Sequence, residues 1–189
     1  MSKIGILEQW QFTHNTDSVQ TRRTGTIIAS NTGVTINRTC CHIYLGDQLT
    51  HLTVDGKTLS FAYDAAGVPM SLTYDGVTYY YINNLQGDKV SILSNSGAEV
   101  DRYVYDDWGK HISTEGEKDD SLGSLRYRGY VYDTKTELYY LKRRYYNSEL
   151  GRFLNADAYA NAGQGVRGDN MFAYCGNDPV YDKGVTGTK

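Results

Sequence analysis

Tyr63-Asp64-Ala65-Ala66-Gly67 and Tyr105-Asp106-Asp107-Trp108-Gly109 are two copies of one pattern, Tyr-Asp-x-x-Gly, in a chain of 189 residues. Each makes physical sense as the end of a β-strand and the turn that follows. The tyrosine finishes a strand on its packed face, the aspartate accepts hydrogen bonds from backbone amides just ahead of it, and the glycine takes positive φ. Repeated, the unit is one strand plus its turn, and the copies build a continuous sheet. Weaker forms are Tyr74-Asp75-Gly76, Tyr132-Asp133 followed by Glu137 where glycine is due, and Tyr146-Asn147 with Gly151. Asp-Gly turns occur in any β protein, but an aromatic at the same offset in both clean copies argues for a repeat.

Composition agrees. There are 18 Tyr against 4 Phe and 2 Trp, with 20 Gly and only 2 Pro. Tyrosine suits a pleated, half-buried surface, where the ring packs and the hydroxyl reaches water or a carbonyl. Glycine beside Asp or Asn supplies tight turns. Asp55-Gly56, Asp75-Gly76 and Gly87-Asp88 mark such turns between strand-like runs, among them 77–82 and 90–93. Turn signals every 8 to 12 residues over 43–110 are the spacing of antiparallel all-β architecture. Helical periodicity is absent, apart from room for a short turn of helix within 155–175.

Around that centre, residues 1–42 form an N-terminal segment without a distinctive motif, expected as strands from runs such as Thr24-Gly25-Thr26-Ile27-Ile28-Ala29. Residues 111–124, with Glu115, Glu117, Asp119 and Asp120 among Ser, Thr and Gly, read as a solvated acidic loop. From Leu125 onward the chain is denser in Tyr and Arg.

Several function classes fare poorly. Forty per cent of residues are hydrophobic and 22% charged, which is a globular balance, and the net charge of -3 gives no overall attraction to nucleic acid or anionic lipid. No apolar run approaches the roughly 20 residues needed to span a bilayer. Met1 to Trp10 lacks the basic-then-apolar order of a secretory signal, so localisation is left open. Cys40, Cys41 and Cys175 make a poor disulfide framework, and Cys40-Cys41-His42 has no second cluster at ligand spacing to complete a metal site. No cofactor or metal is expected. His14, His42, His51 and His111 lack partners at useful spacing. Lys142-Arg143-Arg144 between tyrosine pairs suggests nucleic-acid stacking, but in a strand the cluster splits between two faces. Residues 125–152 carry seven basic and three acidic side chains, and 99–120 eight acidic and three basic; contact between these stretches explains the balance more simply.

Three segments carry a family resemblance. The first is Thr78-Tyr79-Tyr80-Tyr81-Ile82-Asn83-Asn84-Leu85-Gln86-Gly87-Asp88, followed by Tyr103 to Gly109. The second is Leu125-Arg126-Tyr127-Arg128-Gly129-Tyr130-Val131-Tyr132-Asp133, then Leu138-Tyr139-Tyr140-Leu141-Lys142-Arg143-Arg144-Tyr145-Tyr146. The third is Leu150-Gly151-Arg152-Phe153-Leu154-Asn155-Ala156-Asp157, followed by 171–180. From about Gly46 to Gly187 the chain resembles the Rhs, or YD-repeat, family, with 125–189 similar to its repeat-associated core domain. The resemblance implies an antiparallel YD-repeat meander, an open or partial spiral sheet at the end of a shell that encloses a toxic polypeptide. Expected partners are the rest of that shell, another copy of this chain, or an enclosed toxin on a separate chain. Unpaired strand edges would promote self-association.

In many relatives the core domain is also an aspartyl autoprotease. Such chemistry needs two carboxylates sharing one proton, one ionised to activate water and one neutral toward the scissile carbonyl. By resemblance the first aspartate falls on Asp157, here followed by Ala158 instead of proline, and its associated arginine on Arg144. The position of the second aspartate is Gly184, with Val185 in place of the following proline. Asp182, two residues upstream, is a possible substitute, but in a strand it lies about 6.5 Å away along the chain. The expectation is a shell or end-cap segment that does not cut itself and, ending at Lys189, carries no toxin domain. The alternatives are a Tyr-rich surface that binds glycans and a residual protease using Asp157 with Asp182.

Overall fold

The computed structural model describes residues 5–14, 20–31, 34–116, 122–134, 136–142, 144–156 and 170–180, with side chains described only within 41–113 and 122–180. The elements are antiparallel strands joined by tight turns; the only helical pieces among the described residues are three-residue 3-10 turns. The all-β expectation holds. The chain divides into two compact units, Met1–Tyr81 with Leu93–Ala98, and Ile82–Ile92 with Glu99–Lys189.

The first unit holds β1 (Gly5–His14), β2 (Gln20–Asn31), β3 (Val34–Leu45), β4 (Gln48–Val54), β5 (Lys57–Tyr63), β6 (Pro69–Tyr74) and most of β7 (Val77–Asn83). Each strand hydrogen-bonds to the next in sequence order. The segment Thr24–Ala29, expected as strand, lies inside β2. Asp55-Gly56 and Asp75-Gly76 are both in the left-handed region, at φ 49 and 84 and at φ 50 and 76. That is the two-residue hairpin turn that matches strand twist. It fixes Val54 opposite Lys57 and Tyr74 opposite Val77. With register set, the period of two puts Leu52 opposite Leu59 and Phe61 opposite Leu72 on one buried face. Burying each such side chain stabilises by roughly 1.5–3 kcal/mol. The hydroxyls beside the turns pair across the other face, Thr53 with Thr58 at 2.9 Å and Thr73 with Thr78 at 3.1 Å.

The second unit holds β8 (Lys89–Leu93, apart from its last residue), β9 (Glu99–Tyr105) and β10 (His111–Gly116), again in sequence order. A separate sheet follows: β11 (Val131–Asp133), β12 (Leu138–Leu141), β13 (Arg144–Asn147) and β14 (Arg152–Phe153). Tyrosines of this sheet and of the segments beside it form the core: Tyr139, Tyr146 and Tyr174 are 0% exposed, packed with Tyr127, Tyr130, Leu141 and Phe153.

Two local expectations are corrected. Residues 111–116 of the expected acidic loop form β10, paired with β9 across a bulge between His111 and Ser113, and Leu122–Ser124 is a buried turn. Glu115 lies in β10; Glu117, Asp119 and Asp120 lie outside the described residues. Lys142 is in the turn between β12 and β13, at φ 56, not in a strand, so the face argument for the basic cluster fails. Tyr127–Gly129, just before the sheet, is a 3-10 turn with Arg128 at φ 53.

Candidate functional site

The turn after β9 shows how the repeat works. Asp106 Oδ1 accepts from the amides of Trp108 at 2.9 Å and Lys110 at 2.8 Å. The Gly109 amide donates to the Asp106 carbonyl, and the Asp106 amide to that of Lys110, both at 3.0 Å. Gly109 sits at φ 77. Asp64 makes the same four bonds with Ala66, Val68 and Gly67, the last at φ 81. The predicted roles of the aspartate and the glycine hold in both copies. The tyrosine role holds too: Tyr63 donates to the Leu49 carbonyl at 2.8 Å and Tyr105 to that of Lys89 at 2.9 Å. Burial pushes the Tyr63 phenol up to about 12 and that of Tyr105 higher still.

Two further copies escaped the sequence reading because asparagine and serine replace the aspartate. Asn84 Oδ1 accepts from Gln86 and Asp88, and Ser94 Oγ from Ala98, with Gly87 at φ 89 and Gly97 at φ 82. Any side-chain oxygen one carbon from Cβ, or on it, can accept these amides. The glycine three residues on was the visible signal. Gly87-Asp88 is therefore the end of a four-residue turn, not a two-residue hairpin.

Asp106 to Gly109 differs from its siblings in what meets it. The turn's internal bonds leave the carbonyls of Asp107, Trp108 and Gly109 to be satisfied from outside. Three tyrosines do so: Tyr127 donates to Asp107 at 2.8 Å, Tyr146 to Trp108 at 2.7 Å and Tyr139 to Gly109 at 2.9 Å. Tyr139 and Tyr146 are register partners across β12 and β13, so their rings lie side by side at 6.2 Å. Tyr127 comes from the 3-10 turn, with its ring 6.1 Å from that of Tyr139. Burial is the main cause that raises all three phenols above their ordinary range, so they stay protonated donors.

The arginines serve the same architecture. Arg126 donates to the Gly123 carbonyl at 2.9 Å and places its guanidinium over Tyr103 and Tyr132, at 4.9 and 4.3 Å from the ring centroids. Arg128 lies beside Asp88, Nε 3.8 Å from Oδ1, and donates to the Pro179 carbonyl at 2.6 Å. Asp88 also accepts from the Arg128 amide at 2.8 Å and from Asn84 Nδ2 at 2.6 Å. The stretches 99–120 and 125–152 do meet: three tyrosine hydroxyls reach carbonyls of 107–109, the Arg126 guanidinium covers the Tyr103 ring, and Lys110 of the acidic stretch pairs with Glu149 of the basic one at 2.9 Å.

Of the expected protease positions, Arg144 is buried, with its guanidinium 3.5 Å from the Phe153 ring centroid and Nη1 donating to the Met171 carbonyl at 3.2 Å. Asp157, Asp182 and Gly184 lie outside the described residues. Cys41 and Cys175 are thiols.

Comparison with known proteins gives this repeat its family. The model of the teneurin YD-shell matches residues 44–180. The chain belongs to the YD-shell family. Among relatives of this YD-shell chain, the tRNA3(Ser)-specific nuclease WapA of Bacillus spizizenii is 37% identical over 143 residues, and the tRNA nuclease WapA of Bacillus subtilis 36% over 143 residues. Each alignment covers 74% of the chain but 6% of the relative. The crystal structure of TcdB2-TccC3-Cdc42 superposes with a TM-score of 0.63 at 19% identity, over 95% of this chain and 10% of that one. TcdB2-TccC3 without its hypervariable C-terminal region gives 0.59 at 20% identity, over 96% and 8%. The fold of the YD-shell segment is therefore that of Rhs/YD-repeat proteins.

Proposed function

We propose that the chain is the closing segment of a toxin-enclosing YD shell and that it does not cleave itself. The observation that carries the shell part is the tyrosine triad on the turn at 106–109. In the Tyr- and Arg-rich stretch, where chemistry would be sought, described tyrosine hydroxyls cap carbonyls and described arginines cover rings and carbonyls. Tyr127, Tyr139, Tyr146 and Tyr174 are at most 2% exposed, so they present no ring face to a sugar. Toxin complexes among the structural neighbours support an enclosed polypeptide as the partner, as does the resemblance of 125–189 to a repeat-associated core domain.

The second part rests on Gly184 and Val185 standing where the resemblance places aspartate and proline. A lone Asp157 cannot supply both the ionised and the neutral carboxyl. The purified chain should therefore keep its full mass through prolonged incubation at mildly acidic and neutral pH. Loss of a C-terminal peptide, abolished by Asp157→Asn, would overturn the claim and point to Asp182 as the second carboxylate. Gly184→Asp, in a chain extended past Lys189, is the complementary gain-of-function test.

A further inference from the structure

Four turns of one backbone shape lie among the described residues, at 64–67, 84–87, 94–97 and 106–109, and the tyrosines described above cap the carbonyls of the last. Their third residues differ: Ala66, Gln86 and Ser96 in the first three, Trp108 in the last. Ala66, Gln86 and Ser96 are exposed, whereas Trp108 is half-buried and packs against the tyrosine core. Its ring rests on Gly151. A Cβ there would lie 3.0 Å from Trp108 Cε3, 3.3 Å from Cζ3 and 3.4 Å from Cδ2, so it would press on the ring where the glycine does not.

The carbonyl contacts cannot explain the choice, because every peptide turn offers three carbonyls. Nor can the glycine, which all four turns share. A discriminating site needs a group that the wrong partner lacks. Among the described residues, Trp108 and its seat meet that requirement with buried contact; the Lys110–Glu149 pair is 46% and 59% exposed, and pairs of that kind contribute little. We propose that Trp108 is the specificity-determining residue of the tyrosine site, the side chain by which the sheet β11–β14 distinguishes the turn it closes on from the other turns of the repeat. This goes beyond the shell reading and does not depend on what the shell holds or whether it cuts itself.

The test rewrites the turn in the full chain as Asp-Ala-Ala-Gly, the sequence of the first turn, by Asp107→Ala with Trp108→Ala. The turn at 64–67 already shows that this sequence makes the same hydrogen bonds. The readout is nitration of tyrosines by tetranitromethane, mapped by peptide mass spectrometry, with exposed Tyr80 as the reactive reference. Nitration of Tyr127, Tyr139 and Tyr146 should rise roughly tenfold or more in the double variant, as local opening predicts. Asp107→Ala alone, which keeps the tryptophan, should leave them protected. Protection in the double variant, or equal opening by Asp107→Ala, overturns the proposal. Should the double variant lose its strand signal in circular dichroism, Gly151→Ala replaces it, filling the seat with the tryptophan still present. Gly176→Ala is its control, at φ 57 with nothing within 4 Å of a new Cβ. Gly151→Ala should open the three tyrosines and Gly176→Ala should not; equal behaviour overturns the proposal.

Discussion

Gly109 lies directly under the Tyr127 ring, so close that a Cβ on the glycine would stand 2.4 Å from Cδ1 and 2.5 Å from Cγ. Gly97, at the same place in another turn, has open space around it. Both substitutions to alanine force an L residue to positive φ, at a cost of about 1–2 kcal/mol. Gly109→Ala adds an overpacking cost of about 1–3 kcal/mol. Urea denaturation should rank Gly109→Ala well below Gly97→Ala in stability; equal midpoints would contradict the close contact.

Removing one hydroxyl of the triad leaves its carbonyl without that donor. Tyr139→Phe and Tyr146→Phe should each destabilise by about 1–3 kcal/mol, the range for a buried acceptor left unsatisfied. The rings stay, so the near-ultraviolet circular dichroism should change little. A cost near zero would mean that solvent reaches those carbonyls.

Glu137 stands where a glycine was due, and the structure shows it at φ 58 all the same, with its amide donating to the Asp133 carbonyl at 2.8 Å. Asn147 heads the matching turn. Thr136 donates to Asp133 Oδ1 and Leu150 to Asn147 Oδ1, and Gly151 takes φ 62 four residues after the asparagine. This is a turn one residue longer than Asp-x-x-Gly. Glu137→Gly should therefore stabilise, by roughly 0.5–1 kcal/mol once the greater freedom of glycine in the unfolded chain is counted. Thermal melting would show it as a raised midpoint.

Stability should fall at both ends of the pH scale. Burial, and then the nearby Arg126, hold the His111 imidazole below its ordinary 6.5. The unfolded chain then binds that proton first, so the His111 contribution declines as pH drops below 6.5. His111→Gln should flatten that acid limb in denaturation midpoints measured across pH. At the alkaline end, Tyr63 ionises near 10 when unfolded and near 12 when folded, so its contribution is complete below 10 and lost as pH rises through 12. Absorbance at 295 nm should rise late, together with unfolding. A smooth titration of these buried tyrosines near 10 would contradict the structure.

Much of the strand pattern was legible because its turns are local. Asp64, Asp106 and the Asp-Gly pairs accept from, or hand over to, residues within four positions, and such chemistry depends on sequence alone. The expected loop at 111–124 was misread for the opposite reason. Polar residues in β10 look like loop residues when half of each strand faces away from a core, and the pairing of His111 with Tyr105 is a contact between strands. Lys142-Arg143-Arg144 was read as strand because its neighbours are strands, yet Lys142 takes a left-handed turn position that only the β12–β13 pairing requires.

By itself the sequence determined that this protein is a meander of antiparallel strands, and that Asp55-Gly56, Asp64 to Gly67, Asp75-Gly76 and Asp106 to Gly109 turn the chain, since those steps are settled within a few residues. Only the tertiary structure decided that Tyr127, Tyr139 and Tyr146 meet the turn at 106–109, between 20 and 38 positions away. Hydroxyls and carbonyls are present in every strand and turn, so nothing in their local sequence names a partner. The fit is completed where Gly109 lies against the Tyr127 ring and Gly151 against the Trp108 ring, and shape of that kind exists only after the strands have packed.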